Sequence, residues 1–284
     1  MSRTVDIFEL DEDDYKNLIG EDIAENMDRE YYNGILSCDD SEELPGGGII
    51  WQIFNAESDE DTSSEIAFFN APDLESAQNL LKEYTERIAD EEVRASYFEL
   101  QELTEELKEV LTENGFSISE KESRSIKVTV NDALGSKIPQ IKKSHLTIVP
   151  LGGIELIQFR QGITNCLFSG MNGLYDDLAL LPKEWYEQDI SCCAIQDNKI
   201  AGLFLVHKYP SGLLAPVLLF GAGADARMTI LQMLGFFIRS ASKKYSPDTG
   251  IVIRCRTERT DKLVKYLFPK KKGERVFAGE RPES

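Results

Sequence analysis

The feature that most constrains the fold is an order of predicted elements that occurs twice along the chain. Each half reads as strand, helix, antiparallel strands, long helix, strand, helix and strand, as judged from hydrophobic periodicity and from Gly and Pro at the boundaries. No short stretch of sequence is common to both halves, so the repeat is one of architecture. A chain of 284 residues is long enough for two domains of ordinary size. We therefore predict an α/β (α+β) protein with two domains, each a mixed, mostly antiparallel sheet flanked by helices.

The first half, residues 1–130, is predicted to be one domain. Its strongest strand signal follows Gly46-Gly47-Gly48, and its long helix is opened by Pro72 and Asp73. The predicted elements are a strand over 4–10, a helix over 11–26, strands over 49–54 and 66–69, a helix over 74–89, a strand over 95–100, a helix that Thr104 caps and Gly115 ends, and a last strand over 126–130. Residues 131–143, which hold Gly135, Ser136 and Pro139, are interpreted as a linker.

The second predicted domain covers residues 144–284. Two apolar strands joined by the turn at Asp197 and Asn198 predict a hairpin. The predicted elements are strands over 146–149, 190–195, 200–206, 213–220 and 250–255, helices over 155–168, 225–244 and 260–268, a shorter helix within 175–186, and a short strand over 276–278. The two predicted domains therefore have the same order of elements.

The charge of the chain is distributed unevenly between these halves. Residues 1–140 hold 36 acidic and 11 basic side chains, a net charge of −25, whereas residues 141–284 hold 14 acidic and 20 basic ones, a net charge of +6. We expect the halves to pack on each other, although salt screens exposed charges. A first half this acidic is a poor nucleic-acid binder. No apolar run is long enough to span a membrane and no secretory signal begins the chain, so we expect a cytoplasmic protein.

The cysteines and histidines do not predict a metal site or a disulfide framework. There are five cysteines, an odd number, with no CxxC spacing, and only two histidines, His145 and His207. Cys192 and Cys193 are adjacent in a predicted strand and should point to opposite faces of the sheet. We interpret the cysteines as small buried residues.

The order of elements is similar to that of the GNAT superfamily of N-acetyltransferases, and several residues add to the resemblance. Residues 191–204, a small-residue strand that turns at Asp197 and returns with Gly202, resemble the second and third strands of the family. Tyr266 resembles the tyrosine of the last helix of the family, which often donates a proton to the departing CoA thiolate. In the first half, residues 111–116 resemble the end of the same helix, with Leu111 in the place of that tyrosine. The resemblance extends over nearly the whole chain, once in each half.

The pyrophosphate loop is where the sequence departs from the family. GNAT proteins carry Gln/Arg-x-x-Gly-x-Gly/Ala before the long helix, where glycines let backbone N–H groups turn towards the phosphates. The matching stretch runs from Phe220 to Ile230, and the resemblance assigns acyl-CoA binding to Leu219, Phe220, Gly221, Ala222, Gly223 and Arg227. We expect Asp225 to cap the helix and occupy the amides that would hold phosphate, while Arg227 partly compensates. The first half, over 69–75, has no glycine and two carboxylates.

Several other residues have both a catalytic and an ordinary interpretation. Tyr266 is the predicted catalytic residue, and the alternative is a partly buried core tyrosine. Asp189 could be a general base but is more simply a surface aspartate, and His207 is interpreted as a turn residue at a strand end. Lys270-Lys271-Lys272 is interpreted as a solvated loop, or as a contact for the acidic half or for the CoA 3′-phosphate.

Two functions follow from the resemblance, and a third from the charge. The first is an N-acyltransferase, active only in the C-terminal domain, that transfers an acyl group from acetyl-CoA or another acyl-CoA to the amine of a small molecule or peptide. The second is a catalytically inactive GNAT-fold protein with a binding or regulatory role, since a fold does not determine a function. The third is an interaction protein that recruits a basic partner through residues 1–140.

Overall fold

The chain was examined as a computed structural model, which describes residues 2–27, 32–39, 44–54, 62–138, 146–168, 181–223, 225–255 and 258–283. It divides into two compact units, the first made of Met1–Ser123 with Arg275–Ser284 and the second of Arg124–Glu274. Each unit contains one sheet in which a single pair of neighbouring strands is parallel and the other pairs are antiparallel. This arrangement confirms the predicted fold class.

Among the described residues, the first unit holds a seven-stranded sheet of order β1-β2-β3-β4-β5-β13-β6. Its parallel pair is β4 with β5. The elements of this unit are β1 (Ser2–Asp6), α1 (Glu12–Ile19), α2 (Glu21–Ala24), β2 (Tyr32–Asp39), β3 (Gly47–Phe54), β4 (Ser63–Asn70), α3 (Leu74–Ala89), β5 (Ala95–Leu100), α4 (Glu105–Glu113), β6 (Ser117–Glu122) and β13 (Arg275–Pro282).

Both faces of the first sheet are covered. The periodic apolar positions of α3 and α4, including Leu80, Leu81 and Leu111, pack on one face together with Trp51, and α1 and α2 pack on the other. Helix α3 begins where the sequence predicts, because the Asp73 carboxylate accepts a hydrogen bond from the Ser76 N–H at 2.8 Å. These contacts hold α3 against the sheet.

The second unit holds, among its described residues, a six-stranded sheet of order β7-β12-β11-β10-β9-β8. Its parallel pair is β11 with β12. Its elements are β7 (Ser125–Thr129), α5 (Val130–Leu134), β8 (Thr147–Pro150), α6 (Leu156–Phe168), β9 (Cys192–Gln196), β10 (Lys199–Lys208), β11 (Leu214–Gly221), α7 (Ala226–Lys244), β12 (Gly250–Arg254) and α8 (Glu258–Leu267).

The second sheet also has two covered faces, and its adjacent cysteines mark them. Cys192 lies in the core under α5, α7 and α8, whereas Cys193 lies in the core under α6. The predicted opposite orientation of the two side chains is confirmed, and burial raises the pKa of both thiols. The predicted turn is also present, because Asp197 and Asn198 both adopt positive φ, as a two-residue hairpin turn requires.

Each unit has an irregularity in the strand that precedes its long helix, β4 in the first unit and β11 in the second. In the first unit Ile50 and Trp51 of β3 pair with Phe68 and Ile66, so Ala67 is an extra residue in β4. In the second unit Leu205 and Val206 of β10 pair with Leu218 and Pro216, so Val217 is an extra residue in β11. A bulge of this kind bends its strand and turns it away from the neighbouring strand. The repeat read from the sequence therefore extends to this detail.

The predicted domain boundaries are wrong at both ends, because each unit takes one strand from the other half of the sequence. Strand β7, assigned to residues 1–130, pairs with β12 of the second unit. Strand β13, assigned to residues 144–284, lies between β5 and β6 of the first unit. An alternating pattern predicts that a strand exists but not which neighbour it joins, so this exchange left no signal in the sequence.

Two further predictions about this region are corrected. Residues 131–143 are not a simple linker, because α5 begins at Val130, where the Thr129 hydroxyl and the Asp132 carboxylate form a capping box. Residues 139–143 of that stretch lie outside the described residues, as do residues 175–180. The shorter helix predicted around Pro182 is one turn of 3-10 helix, Lys183–Trp185. Strand β6 was not predicted, because five of its six side chains carry a charge or a hydroxyl on an exposed surface.

Candidate functional site

Strands β11 and β12 diverge in the second unit. They pair in parallel at one position, Leu214 with Ile251, although β11 continues to Gly221 and β12 to Arg254. The glycine that begins β12 permits this contact, since a Cβ at Gly250 would lie 2.5 Å from the Leu213 Cδ2. From Ala215 onwards the side of β11 that faces away from β10 is not paired with β12. The divergence leaves an edge of β11 whose backbone groups are not bonded to β12, and we call the space beside this edge the cleft.

Pro216 is compatible with a central strand because of its place at this cleft. The N–H and carbonyl of Val206, its partner on β10, bond instead to the Ser191 hydroxyl and to the Glu187 N–H, at 3.0 and 2.8 Å. Pro216 is therefore in a pair without mutual hydrogen bonds, and its own backbone groups turn towards the cleft. A proline there removes no hydrogen bond between strands.

A glycine-bearing loop connects the open strand to the long helix α7. At Gly221 a Cβ would lie 2.8 Å from the Ala226 carbonyl oxygen, so only glycine allows the strand end and helix start to approach this closely. Gly223 has a φ of +78° and open space around it. Gly202 on β10 likewise lets α7 lie close to the sheet, because a Cβ would meet the Thr229 Cγ2 at 2.7 Å. The loop thus has the backbone freedom and the room that a phosphate cradle requires.

The expectation that Asp225 caps α7 is wrong. Asp225 stands at the cap position, but its side chain accepts no hydrogen bond from the helix, and its φ of −97° and ψ of 18° differ from the extended conformation of a capping residue. Asp73 of the first unit shows the contrast, with φ −155°, ψ 172° and a carboxylate bonded to the Ser76 N–H. The first turn of α7 is therefore not occupied by the Asp225 carboxylate, although that exposed charge remains nearby.

The structure places the predicted cofactor-binding residues in two settings. The side chains of Leu219 and Phe220 pack into the cores on opposite faces of the sheet. Gly221, Ala222 and Gly223 form the loop, and Arg227, in the first turn of α7, is exposed. The backbone of this stretch and one guanidinium group are thus the groups that a bound anion could contact.

Tyr266, the predicted catalytic residue, lies on α8, the helix that follows β12. Its side chain is 51% exposed rather than packed in the core. The Lys137 ammonium lies 5.5 Å from the centre of its ring. A phenol in this position has access to solvent, from which it can regain a proton.

The corresponding strands of the first unit stay paired over a longer stretch. Strands β4 and β5 pair in parallel at four positions instead of one, and Ser64 of β4 lies opposite Ser96 of β5. The Tyr84 hydroxyl of α3 lies 2.9 Å from the Ser64 Oγ and 2.7 Å from the Ser96 Oγ. Burial raises the pKa of Tyr84 to about 12, so the phenol stays protonated. This buried network ties together the two strands that diverge in the second unit.

Residues of β13 and the residue after it extend this network. The Ser96 hydroxyl donates to the Glu283 carboxylate, whose Oε1 lies 2.8 Å from the Arg281 Nε and 2.7 Å from its Nη2. The Arg281 guanidinium also donates to the Thr85 hydroxyl and lies 4.8 Å from the centre of the Phe116 ring. Leu111, which the resemblance places at the position of the tyrosine, is fully buried. At the corresponding place the first unit thus has no glycine over residues 69–75 and no hydroxyl at residue 111, and β4 separates from β5 only after Ile66.

Two of the remaining candidates have structural partners. Asp189 forms an ion pair with Lys244 at 2.9 Å, at the end of α7 that lies farthest from the loop. Lys271, of the lysine run, pairs with Asp132 at 2.6 Å within the second unit. Both contacts hold elements of the second unit together, and neither places a charged group beside β11.

The interpretation of His207 as a turn residue is wrong. It lies within β10, its side chain is 3% exposed, and its Nδ1 is 2.9 Å from the Trp185 carbonyl oxygen. Its ring stacks on that of Trp185, with centres 3.5 Å apart and planes at 4°. The sequence shows His207 beside Lys208 near a Pro-Ser-Gly turn, and only the length of β10 places it inside the strand.

Solved structures share this fold over the whole chain. A tandem GNAT protein from the clavulanic acid biosynthesis pathway aligns with 99% of this chain and 98% of its own, at a TM-score of 0.60 and 9% identity. GCN5-related N-acetyltransferases from Sphaerobacter thermophilus and Kribbella flavida align with 100% and 99% of this chain and with 96% and 71% of their own, at TM-scores of 0.53 and identities of 10% and 14%. No family model and no curated protein sequence matches.

These similarities confirm the predicted fold, two domains in tandem that each have a GNAT-like fold. Identities of 9–14% are evidence of a shared fold and of nothing finer. In the described part of the chain, no helix combines the length and the hydropathy needed to cross a bilayer.

Proposed function

We propose that this protein is an acyl-CoA-dependent N-acyltransferase whose second unit alone binds the thioester. The observation that carries the proposal is the divergence of β11 from β12 after a single parallel pair, above a glycine loop that leads into α7. A pantetheine arm bears amide groups that can pair with an open strand edge, as an added strand does. In the first unit the Tyr84 network links the corresponding strands, which stay paired as far as Ile66, and no glycine lies over residues 69–75.

The residues present fit the two ends of such a ligand. The backbone of Gly221, Ala222 and Gly223, together with the Arg227 guanidinium, would hold the pyrophosphate. The unpaired edge of β11 around Val217 would receive the pantetheine amides. Acyl-CoA would supply an activated carbonyl, and the acceptor would be a primary amine of a small molecule or peptide. Tyr266 would return a proton to the departing thiolate.

The binding claim can be tested by thermal unfolding with and without CoA. At a hundred times its dissociation constant, CoA should stabilise the protein by about 2.7 kcal/mol. Arg227→Glu should remove most of that stabilisation by reversing a charge beside the loop. Arg239→Glu is the matched control, because Arg239 is an exposed arginine on the same helix, about 18 Å farther along it at 1.5 Å per residue.

A second pair of variants tests the loop backbone. Gly223→Ala and Gly212→Ala both place a side chain at a positive φ, +78° and +86°, with open space around it. Both should lower the stability of the free protein by about 1 kcal/mol, but only Gly223→Ala should also weaken CoA binding. No stabilisation of the wild type by CoA, or equal losses of binding in both variants, would refute the proposed site.

Binding without turnover is the second candidate, and the exposed Asp225 carboxylate favours it. A negative charge beside the pyrophosphate would weaken binding and displace the thioester from a reactive position. The two candidates separate in one assay, cleavage of acetyl-CoA thioester in the presence of spermidine, glucosamine or tyramine. Stabilisation by CoA without any thioester cleavage would favour the binding protein.

A further inference from the structure

We propose that the first unit holds a binding site for a small hydroxylated amine, on the face of its sheet that carries α1 and α2. Four side chains define the site: Gln52 of β3, Glu65 of β4, Tyr97 of β5 and Glu280 of β13. We call them the polar row. They belong to the first unit, so the inference does not depend on the binding of acyl-CoA by the second.

Strand register places the polar row on one face of four neighbouring strands. Gln52 pairs with Glu65, which pairs in turn with Tyr97. Tyr97 pairs with Glu280. The residues directly beside them along the strands pack in the core under α3 and α4, namely Trp51, Ile66 and Phe98. Because successive side chains alternate between faces, the polar row points to the opposite face. Neighbouring strands lie about 4.8 Å apart, so the row extends over about 14 Å.

The exposure of the side chains increases along the polar row. Gln52 is only 2% exposed. Glu65 and Tyr97 are partly buried, and Glu280 is exposed. The row therefore leads from solvent at β13 to the interior of the first unit at β3.

The buried end of the polar row holds a hydrogen-bond donor without an acceptor. In the described part of the chain, the buried Gln52 Nε2 has no hydrogen-bond partner. The layer between this face and the two short helices holds a buried acceptor of the same kind, Asn26 Oδ1, close in the chain to Met27 of that core. Such atoms destabilise a fold, and native proteins contain few of them. A hydroxyl group both accepts and donates, so a hydroxylated ligand would satisfy either atom.

The outer part of the polar row determines the charge of the ligand. Glu65 and Glu280 lie on either side of Tyr97. A carboxylate accepts up to about four hydrogen bonds, so contacts within the protein leave capacity for a ligand. An ammonium group would form charge-assisted hydrogen bonds there. A neutral alcohol would lack this attraction, and a polyamine with every nitrogen protonated would offer the Gln52 amide no acceptor.

The first test is a calorimetric titration of glucosamine, glucose and spermidine into the full-length chain. Glucosamine carries both an ammonium group and hydroxyl groups, and we expect it to bind. Glucose lacks the charge and spermidine lacks an oxygen, so each should bind at least about tenfold more weakly, as expected for the loss of one hydrogen bond to a charged or buried group. No binding of glucosamine, or equal binding of either other compound, would overturn the proposal.

The second test is Gln52→Met, which removes Nε2 but keeps an unbranched side chain of similar length. Gln78→Met is the matched control, because Gln78 is exposed on α3. Glucosamine affinity should fall about tenfold or more in Gln52→Met and stay unchanged in the control. Urea unfolding, followed by Trp51 fluorescence in a Trp185→Phe background, separates binding from a structural role. Since Nε2 has no partner to lose, the midpoint of Gln52→Met should not be lower than that of the parent. A lower midpoint, or unchanged glucosamine affinity, would overturn the proposal.

A third test addresses the charge at the exposed end of the row. Glu280→Gln keeps the shape of the side chain and removes its charge, and Glu113→Gln does the same at an exposed position of α4. Glu280→Gln should weaken glucosamine binding, with a smaller dependence on salt, whereas Glu113→Gln should not. Equal glucosamine affinities in these two variants would contradict the proposed role of the carboxylates. Stabilisation by CoA should be the same in all of these variants, so a failure of this site leaves the function proposed above untouched.

Discussion

The ion pair of Arg281 with Glu283 is expected to determine the stability of the first unit, although both residues lie at the far end of the sequence. The two side chains are 9% and 14% exposed, with the guanidinium Nη2 2.7 Å from the carboxylate Oε1. Replacing Arg281 by Met leaves the carboxylate buried beside Ser96 without a cation. Breaking a buried ion pair in this way costs about 3–5 kcal/mol.

The assay uses the two tryptophans, because Trp51 lies in the first unit and Trp185 in the second. In a Trp185→Phe background, urea unfolding followed by fluorescence reports on Trp51, which packs edge-on against Tyr84 with centres 5.2 Å apart. Arg281→Met should lower the free energy of unfolding by about 3–5 kcal/mol.

The double variant Arg281→Met/Glu283→Gln removes both charges and provides the control. It should be less destabilised than the sum of the single variants, with a coupling energy of about 1–3 kcal/mol. A loss below about 1 kcal/mol in Arg281→Met, or strictly additive single effects, would refute the reasoning that this pair is buried and coupled.

Three other outcomes follow from the structure. A chain that stops after Glu274 lacks β13, the strand between β5 and β6, so its Trp51 should emit as in an unfolded first unit. Native-like Trp51 emission would contradict the exchange of strands between the two halves. Gly202→Val should lower the stability of the second unit by about 1–3 kcal/mol in urea unfolding followed at Trp185, because its Cβ would overlap Thr229; an unchanged midpoint would oppose this. Hydrogen bonds from Lys271 and from the Thr129 N–H hold the pKa of Asp132 below its ordinary value of 3.8. The Asp132 carboxylate therefore stabilises the fold fully at a pH above 3.8, and this stabilisation is lost as the pH falls through the pKa of the folded state. Asp132→Asn should therefore cost about 1 kcal/mol at pH 7 and progressively less in acid, as measured by urea midpoints across pH; a pH-independent cost would contradict it.

Local elements were predictable from the sequence where a short-range signal fixes both ends. The helix over 74–89 and the strand over 95–100 have the predicted bounds, the first because Asp73 caps it and the second because turns flank it. The two-residue turn at Asp197 and Asn198 required positive φ, which these residue types tolerate. The fold class followed from the order of such elements.

Pairing over long distances was not predictable. Nothing in Arg275–Pro282 indicates whether β13 joins the sheet of its own half or that of the first unit, because either sheet offers a place to an alternating strand. The structural role of Arg281 is evident only from its contacts with the rings of Tyr84 and Phe116, which are distant in the sequence. The strand exchange thus depends on tertiary contacts that a single sequence does not contain.

The candidate site was predicted in part. The loop over 219–227 and the glycines within it were identified from the sequence. Glycine is informative there because it allows a positive φ and a close approach of the backbone. The capping role of Asp225 was inferred from residue type alone, but its backbone angles exclude it. His207 was misread because a histidine beside a turn gives no sign of its partners, Trp185 and Tyr209.

The most direct test of the central claim is a calorimetric titration of CoA into the wild-type protein and into Arg227→Glu. The account predicts one binding site per chain in the wild type, since the stretch before the long helix contains glycines in the second unit and none in the first, and a large loss of affinity in the variant. Two sites per chain, no binding by the wild type, or equal affinity in Arg227→Glu would contradict it.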